Sequence, residues 1–133
     1  MAPIAWRIDP DERLVVLTPA GRRHNAERLA ALRGLVAECQ AMGGRRLKLG
    51  VLIDLRAAEG ALTSDEARHL IDGLRQLCAA CPAGIAILAA ADPSGDAHYG
   101  MARVVEAMGH SEGLRLRAFR DEDEARAWLG DVS

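Results

Sequence analysis

The sequence predicts a single α/β domain, in which an opening β-hairpin leads into alternating helices and strands around a mixed, mostly parallel sheet of about five strands. Three observations carry this. The 133 residues suit one domain, assigned to residues 1–133. From residue 25 onward, helix-length amphipathic segments alternate with short apolar runs. Two of those runs, Val51–Leu55 and Ile85–Ala90, are apolar on both faces, as strands covered by helices on either side are. The order is ββαβαβαβα, and right-handed crossovers favour a sheet order close to the sequence order.

Each element has a local reason. Ile4, Trp6 and Ile8 alternate with Ala5, Arg7 and Asp9, the period-two mark of a strand with one wet face. Asp9-Pro10-Asp11-Glu12 reads as a turn, with proline pre-setting φ. The run from Arg13 to Thr18 returns as the second arm, and Pro19 and Gly21 end it. A first helix over Asn25–Met42 places Leu29, Leu32, Val36 and Cys39 on one face and stops at Gly43-Gly44. Thr63-Ser64-Asp65-Glu66 is a capping box opening a second helix, with Ala67, Leu70, Ile71, Leu74 and Cys78 as its apolar stripe. Pro82 and Gly84 break it. After the polar loop Asp92–Asp96, a third helix carries Met101, Val104, Val105 and Met108. Leu114–Phe119 alternates as an edge strand with Arg115 and Arg117 on its wetter side. A cap at Asp121 starts a last helix bearing Ala125, Trp128 and Leu129.

Composition excludes several classes. Half of the residues are hydrophobic and 27% are charged, which is globular and not disordered. The net charge of −2 offers no basic excess for nucleic acid or anionic lipid. No apolar run approaches the roughly 18 residues of a membrane span. The opening ten residues lack the layout of a signal peptide, and three cysteines make no disulfide framework, so the expectation is a cytoplasmic protein.

Three stretches resemble the SpoIIAA-like, or STAS, domains, the anti-sigma-factor antagonist fold with its bacterial STAS/SEC14-like relatives. They are Ile4–Pro10 with Arg13-Leu14-Val15, then Val51–Arg56 with the capped helix at Thr63-Ser64, and finally Tyr99–Arg103 with Phe119-Arg120-Asp121 and Ala127-Trp128-Leu129. The resemblance implies a non-catalytic regulatory or protein-binding module. In its signalling members a serine at the start of the second helix is phosphorylated. Asp54-Leu55 matches that region, but the Asp-Ser-Ser-Gly run is missing, and Asp65 and Glu66 would repel a phosphate in that first turn.

The chemistry-bearing residues sort as follows. Cys78-Ala79-Ala80-Cys81 closes a helix, where the dipole opposes a thiolate, so core thiols are expected and not a redox pair. The histidines His24, His69, His98 and His110 have no metal spacing, and no metal or cofactor is expected. There is no phosphate-binding glycine loop, and Asp92-Pro93-Ser94-Gly95 lacks the glycine of a nucleophile elbow. Tyr99, Arg103, Glu106 and His110 share one side of the third helix, a candidate surface for a homodimer or a protein partner. Ligands of α/β sheets gather at the carboxyl ends of the strands, which selects Arg23, His24, Asp54, Arg56, Thr63, Ser64, His98, Tyr99 and Arg103 as binding residues. Three readings stand: a partner-binding module without catalysis, as the STAS resemblance implies; a binder of a small apolar or lipid-like molecule, as the resemblance to the SEC14-like group implies, with room left by Ala89-Ala90-Ala91; and an enzyme pairing Asp54 with His24 or His98.

Overall fold

The structure, a computed structural model, describes residues 3–131. The elements are β1 (Ala5–Asp9), β2 (Leu14–Thr18), β3 (Gly21–Arg22), α1 (Asn25–Ala41), α2 (Gly44–Leu47), β4 (Gly50–Asp54), β5 (Ala58–Glu59), α3 (Ser64–Ala80), β6 (Gly84–Leu88), α4 (Asp96–Ser111), β7 (Leu116–Phe119) and α5 (Glu122–Gly130). A 3-10 turn, Pro93–Gly95, leads into α4. Five strands form one sheet in the order β1-β2-β4-β6-β7, antiparallel at the hairpin and parallel from β2 on. This is the α/β class and near-sequential strand order the sequence predicts. No helix among the described residues is long and apolar enough to cross a membrane.

Alternation along the central strands feeds two cores. Val15, Leu17, Val51, Ile53, Ile85 and Ile87 face one side, where they join residues of α1, α3 and α4. Leu14, Val16, Leu52, Ala86 and Leu88 face the other, where Ala125 and Leu129 of α5 cover them. Each of the Val, Leu and Ile side chains among them contributes about 1.5–3 kcal/mol by leaving water. The helices sit close where glycine allows it. A Cβ on Gly34 would lie 3.0 Å from the Trp6 ring, and one on Gly73 would lie 3.0 Å from Leu32.

Where the structure departs from the expected elements, the causes are local. β3 and β5 pair in parallel as a separate two-stranded sheet, Gly21 with Ala58 and Arg22 with Glu59, and two-residue strands leave no periodicity to detect. The expected stop at Gly43-Gly44 is followed at once by α2, because Gly43 turns with φ +75° and Gly44 packs where a Cβ would lie 2.5 Å from the Ala80 carbonyl oxygen. On α4 the buried line is Ala102, Val105 and Gly109, while Val104 is 40% exposed and Met101 and Met108 are half-buried. The small residues win the inner positions because the helix lies tight on β7, where a Cβ on Gly109 would meet the Leu116 side chain. His98 is the third residue of α4.

Candidate functional site

The parallel strands all end on one side of the molecule, and the segments that follow them build the site. Gly21 takes φ +71° after Pro19 and donates its N–H to the Ala57 carbonyl at 3.0 Å, which folds β3 onto β5. Asp92 accepts from the Ser94 N–H at 3.1 Å and starts the turn into α4. Arg120, at the end of β7, ties this loop down by donating to the carbonyls of Ala90 and Asp92 at 2.7–3.0 Å and pairing with Asp96 at 2.9 Å.

Beneath the β3–β5 pair lies a cavity of about 130 Å³. Its floor is Leu17, Ile53 and Ile87 of the sheet, and its walls come from Ala31 and Leu32 of α1, Leu70 and Leu74 of α3, and Met101, Ala102 and Val105 of α4. The exposed lining residues, Glu59 and Gly60, mark its mouth. Alanines at positions 31, 58 and 102 leave the space. Ala89, Ala90 and Ala91, expected to do so, do not line it, and Ala89 is fully buried.

Four charged or titratable side chains reach the rim: Arg23, Arg28, Glu59 and His98. Arg23 is fully engaged, its Nη1 3.1 Å from Glu27 and its Nε donating to the Ala20 carbonyl at 3.0 Å. Glu27 also accepts from the His24 N–H at 3.0 Å, and that bond, followed by Arg23, holds its carboxyl below the ordinary value. His98 Nε2 lies 2.6 Å from the Gly60 carbonyl. Because a carbonyl only accepts, this nitrogen carries the proton. Among the described residues Arg28 has a single ion pair, with Glu66 at 3.5 Å.

The structure gathers only part of the predicted set here. Arg23 and His98 line the cavity. His24 precedes the first turn of α1 with an exposed side chain. Asp54 and Arg56 belong to the opposite side of the sheet, since Asp54 alternates with the cavity residues Ile53 and Leu55, and Arg56 bridges to Glu122 of α5 at 2.6 Å. Burial acts to raise the Asp54 carboxyl, but the Arg56 guanidinium at 2.8 and 3.0 Å and the Arg56 N–H outweigh it and hold it below its ordinary value. Both Asp54 oxygens are thus turned to Arg56 and not to a histidine. Thr63 and Glu66 form the capping box as expected, Glu66 N–H to Thr63 Oγ1 at 3.1 Å and Thr63 N–H to Glu66 Oε1 at 2.9 Å. Ser64 is exposed at the start of α3.

Tyr99 and Arg103 part company. Tyr99 is half-buried with the Arg120 guanidinium 5.3 Å from its ring centroid, whereas Arg103 is exposed and 3.7 Å from Glu106. The same side of α4 serves the free edge of β7, where Glu106 accepts the Ala118 N–H at 2.8 Å and His110 Nε2 lies 2.9 Å from the Leu116 carbonyl. Cys39 and Cys81 are fully buried and Cys78 is half-buried. Burial pushes the Cys78 thiol up to about 11, and the Cys81 thiol is pushed up by Cys39 against it and by burial. No group of three or more His, Cys, Asp or Glu among the described residues is placed to hold a metal ion.

Sequence reasoning overlooked Arg28, Glu59 and Arg120. Arg28 had a readable signal: it stands four residues before Leu32 and seven before Leu35, so its charge lies on the buried stripe of α1. Compared with known proteins, the chain matches no family model, no curated protein and no solved structure.

Proposed function

We propose that this chain is a non-catalytic binding module on a STAS-like plan, working in the cytoplasm, and that its ligand is a small apolar molecule held between the sheet and α1, α3 and α4. The observation that carries this reading is the cavity, about 130 Å³ of space walled almost entirely by aliphatic side chains and opening where α/β sheets receive ligands. An apolar cavity of about 150 Å³ stays dry and takes benzene, so about six carbon atoms is the size class that fits. A partner contact through Tyr99 and Arg103 has less support, because Tyr99 packs beside Arg120 while Arg103 stands exposed beside Glu106. An acid–base pair of Asp54 with a histidine has less still, because Arg56 holds that carboxylate on the α5 side.

A series of linear alcohols from butanol to decanol, followed by thermal shift, tests the reading. Affinity should rise about fourfold per methylene, from about 0.8 kcal/mol each, and stop rising near six carbons. Ala102→Leu, which fills the cavity from α4, should abolish the response. No shift with any alcohol, or a response untouched by Ala102→Leu in a folded variant, would refute it.

A further inference from the structure

We propose that the cavity's ligand is a short organic monocarboxylic acid, its tail of about six carbons in the aliphatic chamber and its carboxylate on Arg28 at the mouth. This rests on the cavity reading above and adds the head group to it.

Arg28 is the observation. Its side chain is only 21% exposed, it lines the cavity, and among the described residues its sole ion pair is the 3.5 Å contact with Glu66. A guanidinium carries five N–H donors and is costly to take out of water without partners. Arg23 next door meets that demand with Glu27 and a carbonyl at 3.0–3.1 Å. Arg28 has one contact at 3.5 Å and its remaining donors are open to water at the mouth, and Glu66 has little more to offer it, since its other oxygen is committed to the Thr63 N–H at 2.9 Å. A flat anion arriving at the mouth can form the paired N–H···O bonds that a guanidinium makes with a carboxylate.

The surroundings select a single negative charge. Glu59 stands at the rim and Glu66 beside Arg28, so each further negative charge on the head group meets two carboxylates, and the guanidinium of Arg22, beside Gly60, lies outside the chamber lining. His98 is turned to the Gly60 carbonyl, and Arg23 to Glu27. The charge and the chamber therefore ask for opposite ends of one molecule, an anionic head and a short apolar tail.

The test compares hexanoate, hexanol and hexyl phosphate by calorimetric titration at neutral pH, on the intact chain and on Arg28→Gln. Hexanoate should bind the native chain about 10- to 100-fold more tightly than hexanol, the range expected of a charged hydrogen-bonded pair. Arg28→Gln should erase that difference while hexanol binding stays as it was. Hexanol binding as tightly as hexanoate, hexyl phosphate binding more tightly than hexanoate, or an Arg28→Gln variant that keeps its preference for the acid would each overturn the head-group assignment and leave the cavity reading standing. Failure of both hexanol and hexanoate to bind the native chain overturns both. If Arg28→Gln does not fold, the three-ligand comparison on the native chain decides alone.

Discussion

Replacing Glu106 by alanine should destabilise the domain through the edge of its sheet. β7 ends the sheet, so the N–H of Ala118 has no strand to pair with. Glu106 reaches over from α4 and accepts that N–H at 2.8 Å, with a side chain only 13% exposed. A hydrogen bond to a charged acceptor is worth about 1.5–3 kcal/mol. The second partner, Arg103, is 60% exposed and 3.7 Å away, which adds less than about 0.5 kcal/mol. Alanine returns a few tenths of a kcal/mol of helix propensity, and water can reach an edge amide, so the net loss should be about 1.5–2.5 kcal/mol. With a urea slope of about 1–3 kcal/mol/M, the midpoint should fall by about 1 M. Glu106→Gln, which keeps an accepting oxygen without the charge, should lose about half as much. Amide exchange supplies the local readout: the Ala118 N–H should exchange faster in Glu106→Ala while amides of β4 hardly change. Glu106→Ala within about 0.3 kcal/mol of the native chain, with Ala118 still protected, would show that the contact does not hold the edge.

Three further outcomes are expected. Gly95→Ala should cost about 2–4 kcal/mol or displace the loop into α4, because a Cβ there would lie 2.1 Å from the Ala90 carbonyl oxygen and backbone cannot swing aside; an unchanged melting temperature would contradict that close approach. Cys78 should react slowly with iodoacetamide at pH 7 and faster as the pH climbs toward about 11, with fast labelling of the folded chain at neutral pH the contrary result. Asp54, whose carboxyl is lowered in the folded state, should contribute stability above the ordinary carboxylate range and lose it as the pH falls through its folded value; the gap between the native chain and Asp54→Asn, read by urea midpoints, should therefore be flat above about pH 5 and shrink below about pH 4, and a gap that widens in acid would reverse the assignment.

How far residues alone reach differs between fold and site. The central strands are legible because burial on both faces demands apolar residues at every position, as in Val51–Ile53 and Ile85–Leu88. The α3 start is legible because a capping box is a strictly local device. The inner face of α4 is not, because Gly109 wins its place by how closely the helix comes to lie on Leu116 of β7, a tertiary fit that helical periodicity does not encode. The site suffers most from this. It is formed by strand ends, two-residue strands and contacts between residues 38 positions apart, such as the His98 ring with the Gly60 carbonyl, for which no short-range pattern exists. Selecting loops by their place after strands finds Arg23 and His98, but it also takes in Asp54 and Arg56, because position along a strand end does not say which side of the sheet a side chain faces. Counting alternation from Ile53 would have put Asp54 on the α5 side.

That division of the sheet explains why charge and space are separated in this domain. On the α5 side, Asp54, Arg56, Glu122 and Arg126 form a connected ion network, with Arg56 shared between two carboxylates and Glu122 between two arginines, and both carboxyls lie below their ordinary values. Such a network fixes the carboxyl end of β4 to the start of α5. On the other side, three helices must cover one sheet face. α1 and α4 both lean on α3, with Leu32 tight against Gly73, so at the strand ends small side chains and a two-stranded cover take the place of a fourth layer. Core packing elsewhere leaves few gaps larger than a water, and closing this one would take only larger residues at Ala31 or Ala102. An apolar hollow left open costs the free protein stability. Occupancy of that hollow would restore it, by an amount that grows with the ratio of free ligand to its dissociation constant.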